Sequence, residues 1–416
     1  MKKLLSVTLL SGLLTLARMA SGFIIAKIVA IYTGPSGMAM LGQIQSIVIS
    51  LNGIVNAPVS SGIVRYTAEF EKEGVEACAP WWKASLWWLA VILCILVPIC
   101  FLLGHDLSNW LLNDSSYAWV IWSITAVLPI AALGTLANSV INGYQQYRRF
   151  VALGAISTTF SCILIITLIV NFGIEGALLA AAVQSGLIGL ILIFSVLRQP
   201  WVKLGYWWGK TDRVHKKKIG GYVLMAVTTA LTTPIALIGV RNILISHVGW
   251  EGAGQWQAVW KISEVYLGVI TIALSTYYLP KLSTLQGVEN IRAEINQTVK
   301  IIVPIAAVMA LGVYICRDLA ISMLFTEEFR SARELFSIQL IGDVIKIASW
   351  LYAYPMLSRG ATKWFVSTEI VFSITLVLLT YILVPFYATQ GANFSYVINY
   401  SLYFIFVVTF FGRYSR

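Results

Sequence analysis

Two short patterns place an amine and a carboxylate three residues apart: Lys261-Ile262-Ser263-Glu264 and Asp343-Val344-Ile345-Lys346. Residues three apart share a face of an α-helix. Both patterns sit inside long apolar stretches, with Lys261 ~15 Å from the start of its stretch at 1.5 Å per residue. A charge at the centre of a bilayer costs roughly 2.5–3.5 kcal/mol on insertion scales, so it needs a partner or water. The four side chains either neutralise one another as a buried structural network, or face an aqueous cavity, bind a charged substrate and titrate during transport. On the second reading Glu264 and Asp343 are the ion-coupling candidates.

Four further charges fall in apolar stretches: Arg18, Lys27, Arg241 and Glu369. Arg18 is too deep to reach the interface cheaply and is assigned to the cavity. Lys27 and Arg241 lie near the outer ends of their helices, where they either line the cavity or snorkel outwards. Glu369 is one to two turns inside its helix, an interfacial position. Bases outnumber acids five to three among these intramembrane charges. Trp256 and Trp260, at i and i+4 beside Lys261, are candidates for stacking on sugar rings, with lipid-facing packing as the alternative.

The composition identifies the solvent around these residues. Of 416 residues, 58% are apolar and 11% charged, where a soluble domain carries about 25% charged. The mean hydropathy is +0.81. These values exclude a soluble enzyme, a disordered scaffold and a coiled coil, and leave the bilayer. The five cysteines form no CxxC pair and the three histidines are isolated in sequence. No metal site, disulfide framework or cofactor is therefore expected. There is no GxxxxGK[ST], HExxH or GxSxG sequence, so neither ATP hydrolysis nor catalysis is expected of this chain.

About 20 apolar residues span the hydrocarbon core. That window predicts twelve spans, near 4–32, 37–61, 82–104, 117–142, 148–171, 176–198, 219–245, 251–279, 297–316, 334–357, 362–385 and 390–411. The first begins after Met1-Lys2-Lys3 and runs past Arg18, which reads as an uncleaved helix rather than a signal peptide. With the N-terminus in the cytoplasm, 21 of the 29 Lys and Arg fall on the cytoplasmic side. Only Arg317, Arg330 and Arg333 fall outside. This asymmetry puts both termini inside. It also accounts for the net charge of +11 without nucleic acid.

The loop from Gln199 to Lys218 combines Lys and Arg with Trp201, Trp207 and Trp208. It reads as an interfacial linker on an anionic leaflet. It divides the chain into a bundle over 1–200, a linker over 201–217 and a bundle over 218–416. A shift of 215 lays Gly34-x-x-Gly37 on Gly249-x-x-Gly252, Gly176-Ala177 on Gly391-Ala392, and Arg148-Arg149-Phe150 on Lys363-Trp364-Phe365. Asp106-Leu107 meets Asp318-Leu319 at a shift of 212. The expectation is an all-α integral membrane protein made by duplication. Two six-helix bundles would be related by a pseudo-two-fold along the membrane normal, with a substrate site between them. Pro234 is the candidate hinge, with a static kink as the alternative.

The chain resembles the Wzx-type flippases of lipid-linked oligosaccharides, including the O-antigen and lipid III flippases. These belong to the multidrug/oligosaccharidyl-lipid/polysaccharide exporter superfamily. Besides length, span number and the basic middle loop, three stretches carry the resemblance. They are Gly252-Ala253-Gly254-Gln255-Trp256-Gln257 with Lys261 to Tyr266, Tyr278-Leu279-Pro280-Lys281-Leu282-Ser283, and Leu335 to Lys346. Glu264 stands where the lipid III branch is expected to carry an aspartate, so the charge is kept. The resemblance implies movement of an undecaprenyl-diphosphate-linked repeat unit from the inner to the outer leaflet of the bacterial inner membrane by alternating access. It makes Arg18, Lys261 and Lys346 the first diphosphate partners, with Lys27 and Arg241 next. The implied partners are that glycolipid, membrane lipids, and an O-antigen polymerase with its chain-length regulator, the flippase itself being a monomer. A cation-coupled multidrug antiporter of the same superfamily is the alternative. It would favour an acidic lumen, whereas the balance here is cationic.

Overall fold

The computed structural model describes residues 2–415; Arg416 of the charge count, and the side chains of Lys2 and Lys3, lie outside what is described. The first helices are α1 (Lys2–Asn56), α2 (Ser61–Phe70), α3 (Val75–Leu102), α4 (Gly104–Leu112) and α5 (Ala118–Gly143). Next come α6 (Tyr147–Val196), α7 (Leu204–Trp207), α8 (Arg213–Ala273), α9 (Leu279–Thr284) and α10 (Val288–Ile315). The last are α11 (Arg317–Leu324), α12 (Phe336–Ser358), α13 (Thr362–Tyr387), α14 (Thr389–Thr409) and α15 (Phe411–Tyr414).

Nine of these helices are long and apolar enough to cross a membrane, among the described residues. Three are too long for a single crossing: α1, α6 and α8 contain 55, 50 and 61 residues. Fifty residues of straight helix would measure ~75 Å, against ~30 Å of hydrocarbon. Each breaks at one glycine of positive φ: Gly34 at 61°, Gly173 at 57° and Gly249 at 76°. Two crossings on each of these and one on each of the other six make twelve, in the order that hydropathy predicts. The chain is a multi-pass membrane protein.

Some helices reach beyond the expected spans. α10 starts at Val288 rather than near 297, because its first turns have a buried stripe of Ile291 and Ile295 at i and i+4. Glu294 on the same segment pairs with Lys281 at 2.6 Å. The amphipathic α2 was not expected at all. It follows the second crossing and buries Ile63 and Tyr66 while Arg65 and Glu69 form an exposed pair at 3.8 Å.

The chain forms two compact units. Unit 1 comprises Met1–Tyr32 and Gln43–Pro234; unit 2 comprises Thr33–Gly42 and Ile235–Arg416. In unit 1, α5 and α6 come close because Gly134 faces the backbone of Gly189. Small residues at such crossings let apolar helices pack in lipid without a hydrophobic driving force. The middle loop is anchored to unit 1 by aromatic rings. Trp207 stacks on Trp82 at 4.8 Å between centroids, and Trp201 meets the same ring at 6.1 Å. The indole of Trp207 donates to the carbonyl of Trp201 at 2.9 Å, and that of Trp88 to the carbonyl of Lys216 at 2.9 Å.

The duplication is visible in backbone conformation. Gln145 and Gly360, 215 apart, both have positive φ, 52° and 65°. The turns around them repeat the same bonds: Tyr144 N–H to Val140 O and Arg359 N–H to Pro355 O, each 2.9 Å. α4 and α11 are the short helices that begin near Asp106 and Asp318. At the fold-back of α6, Gly173 has φ 57° and ψ −129°; 215 residues later Ala388 has φ 48° and ψ −136°. That conformation suits glycine and strains a residue with a Cβ. Ala388→Gly should therefore raise the thermal midpoint of the purified protein, and Gly173→Ala should lower its stability by about 1–3 kcal/mol. Thermal unfolding followed by size-exclusion in detergent checks both; an Ala388→Gly protein that unfolds earlier would contradict the strain.

Candidate substrate and coupling site

Unit 2 brings both amine–carboxylate patterns into one cluster built by α8, α12 and α14. Asp343 on α12 is fully buried. Its carboxylate accepts from Ser263 Oγ at 2.7 Å, Tyr266 OH at 2.7 Å, Tyr396 OH at 2.8 Å and Gln339 Nε2 at 3.3 Å. A buried carboxylate is tolerable only with such donors. Tyr396 reaches it because Gly342 offers no side chain: a Cβ there would run into the tyrosine ring.

Lys346, one turn further along α12, does not bond to that carboxylate. Its ammonium lies among four rings, 5.3 Å from Trp260, 4.9 Å from Trp350, 5.5 Å from Tyr396 and 5.2 Å from Tyr400. Ring faces attract a cation without neutralising it. No carboxylate forms an ion pair with Lys346 among the described residues. Lys261 and Glu264, by contrast, pair at 3.2 Å with side chains 30% and 46% exposed. The Trp260 indole donates to the other oxygen of Glu264 at 3.1 Å. Trp260 thus links the exposed pair to the ringed lysine. It also meets Tyr396, the Asp343 partner, at 5.3 Å.

Arg241 is 1% exposed and donates to Gln257 Oε1 at 2.8 Å. Gln257 in turn lies against Gly42, where a Cβ would approach it to 2.8 Å. Trp256 and Trp260 are buried, 2% and 6% exposed, with rings 5.1 Å apart. The Trp256 indole N–H and Asn399 Oδ1 are buried without a partner among the described residues. Unsatisfied groups of this kind concentrate where a ligand, water or ion is handled. Arg18 and Lys27 belong to unit 1. Arg18 is exposed on α1, with Nη2 3.1 Å from where a Cβ on Gly154 would sit; Lys27 is half-buried.

Seven of the nine candidate residues therefore fall in unit 2, and Lys261, Glu264, Asp343, Lys346 and Trp260 form one connected network. Sequence reasoning missed Tyr396, Tyr400, Trp350, Ser263, Tyr266 and Gln339. A signal was present for two of them: Tyr396, Tyr400 and Tyr403 recur at i, i+4 and i+7, a stripe of polar-tipped rings on a membrane helix.

The two acids should respond differently to truncation. Asp343→Ala orphans four buried donors and should cost about 3 kcal/mol or more. Glu264→Ala removes a partly exposed pair and should cost less than about 1 kcal/mol. Thermal unfolding of both variants side by side checks this. Equal losses would mean that the Asp343 donors find other partners.

No family model matches the chain. It is 26% identical over 394 residues to the Lipid III flippase of Escherichia coli (strain K12), covering 94% of each chain. The Lipid III flippase of Shigella flexneri matches equally. A solved structure described as the inward-facing conformation of a multidrug resistance MATE family transporter of the MOP superfamily superposes with TM-score 0.76, at 13% identity over 96% of this chain and 98% of that one. The lipid II flippase MurJ superposes with TM-score 0.71, at 15% identity over 98% of this chain and 90% of that one. The chain thus has the fold of these MOP-type transporters and, in sequence, resembles the lipid III flippases along nearly its whole length.

Proposed function

We propose that this chain is a flippase that carries undecaprenyl-diphosphate-linked oligosaccharide repeat units, of the O-antigen or a related type, from the cytoplasmic to the periplasmic leaflet of the bacterial inner membrane. The observation that carries the reading is Lys346: an ammonium inside a membrane helix, held by four rings and lacking an ion-pair partner among the described residues. Such a cation is poised for an anion from outside the protein, and a diphosphate supplies one. Lys261 in the same unit and Arg18 from unit 1 are the other first partners, with Arg241 and Lys27 next. Glu264 and Asp343 couple the movement to an ion gradient. Stacking of sugars on Trp256 and Trp260 requires their neighbours to part, since both rings are buried.

The likeness to proteins named as lipid III and lipid II flippases supports the substrate class. The likeness to a multidrug transporter keeps cationic drug export as the second reading. In the proposed arrangement both termini are cytoplasmic, and the sequence halves 1–200 and 218–416, joined by 201–217, supply the bulk of the two bundles. The protein works as a monomer and hands its cargo to a polymerase with a chain-length regulator. It transports without catalysis.

Depletion of the protein should leave diphosphate-linked repeat units on the cytoplasmic side and remove the surface glycan, as read by mass spectrometry of a lipid extract. Lys346→Ala and Lys261→Ala should each fail to restore the glycan while remaining in the membrane at wild-type level. Absence of accumulation, together with new sensitivity to cationic drugs, would favour the antiporter. Full complementation by both lysine variants at native expression would remove them from the substrate site.

A further inference from the structure

The middle loop is held by one set of its side chains and presents another. Trp201 and Trp207 are 5% and 9% exposed against Trp82, whereas Leu204, Trp208 and Val214 are 75%, 71% and 61% exposed. Exposed bases flank these apolar side chains, among them Lys203, Lys210, Arg213 and Lys217. A single exposed acid, Asp212, lies among them. An exposed tryptophan and leucine on a basic loop are unfavourable in water and favourable in a headgroup layer.

The depth of the loop follows from what it is tied to. It joins the membrane-crossing helices α6 and α8, so no residue of it is far from a span end. It packs on the tryptophans that open α3. Lys216 Nζ sits 4.0 Å above the Trp87 ring and Lys218 Nζ 5.5 Å above that of Trp81. His215 meets Trp81 edge-on at 4.4 Å. Tryptophans at span ends mark the membrane–water interface. A loop fixed on such a belt would stand at headgroup level, with its outward apolar side chains directed at acyl chains. The Trp82–Trp207 stack fixes which side chains point out.

We propose that this loop is a binding site for anionic phospholipid. Lys203, Lys210, Arg213 and Lys217 contact the headgroup phosphates, and Leu204, Trp208 and Val214 insert among the acyl chains. The occupant is the lipid leaflet and not a soluble polyanion, because the apolar triad needs hydrocarbon that a free phosphate cannot offer. The site lies wholly in unit 1, apart from the unit 2 charge cluster.

The test uses the full-length protein equilibrated in mixed micelles of equimolar phosphatidylglycerol and phosphatidylcholine, with retained lipid counted by native mass spectrometry. Wild type should retain phosphatidylglycerol in preference to phosphatidylcholine. Reversal of Lys203, Lys210, Arg213 and Lys217 to Glu should lower that retention, about fivefold per base. A second variant, Leu204→Ser with Trp208→Ser, keeps every charge and the Trp82 stack, and should also lower it. In vesicles of the same mixture, 203–214 should be protected from hydrogen exchange relative to pure phosphatidylcholine. Equal retention of the two lipids by wild type would overturn the proposal. So would protection that appears only when cytosolic protein is added, since the occupant would then be a protein.

Discussion

Burial of the Asp343 carboxylate is the constraint on which unit 2 depends. A carboxylate without solvent contact is tolerated only when donors replace its water, and here they come from three helices: Ser263 and Tyr266 from α8, Gln339 from α12 and Tyr396 from α14. Each donor has to stand within hydrogen-bonding reach at once, which ties the rotation and depth of those helices together. Gly342 belongs to the same requirement, since the Tyr396 ring occupies the space a side chain would take. Apolar helices in lipid slide past one another at little cost. A shared buried anion removes that freedom.

Asp343 is satisfied by neutral donors and forms no direct ion pair with Lys346. This division explains how two opposite charges one turn apart serve different ends. The acid joins helices; the base is set among rings on several sides. Trp260 belongs to both arrangements, touching the lysine by its face and Glu264 by its N–H. Trp260 thus touches both the partly exposed Lys261–Glu264 pair and the ringed lysine.

Much of this was legible in the sequence, for particular reasons. The crossings follow from apolar length, and the fold-backs from Gly34, Gly173 and Gly249, which stand where a long helix has to reverse. The repeat was visible through Gly34 and Gly249, through Gly176 and Gly391, and through the paired aspartates. Lys261, Glu264, Asp343 and Lys346 were legible as candidates because charges stand out in an apolar background. The tyrosines, Ser263 and Gln339 did not stand out, because neutral polar residues are common in membrane helices. Their meaning arises only when helices far apart in sequence meet. The stack of Trp82 with Trp201 and Trp207 was equally hidden: tryptophans near span ends read as a belt, and nothing local says which of them turn inwards. α2 escaped notice because it is too short and polar for a span, and only its packing shows its apolar face.

The boundary between the units does not coincide with the boundary between the sequence repeats. Thr33–Gly42, from the first repeat, belongs to unit 2, and 213–234, after the middle loop, belongs to unit 1. Pro35 and Gly254 show how close this exchange is, since a Cβ on Gly254 would collide with the Pro35 carbonyl. If the gene were split within the middle loop, neither fragment would encode a whole unit. The N-terminal fragment would take away ten residues that unit 2 packs around, and the C-terminal fragment would take away the helical segment that closes unit 1. The two fragments would be interdependent parts that have to meet in the same bilayer to mature.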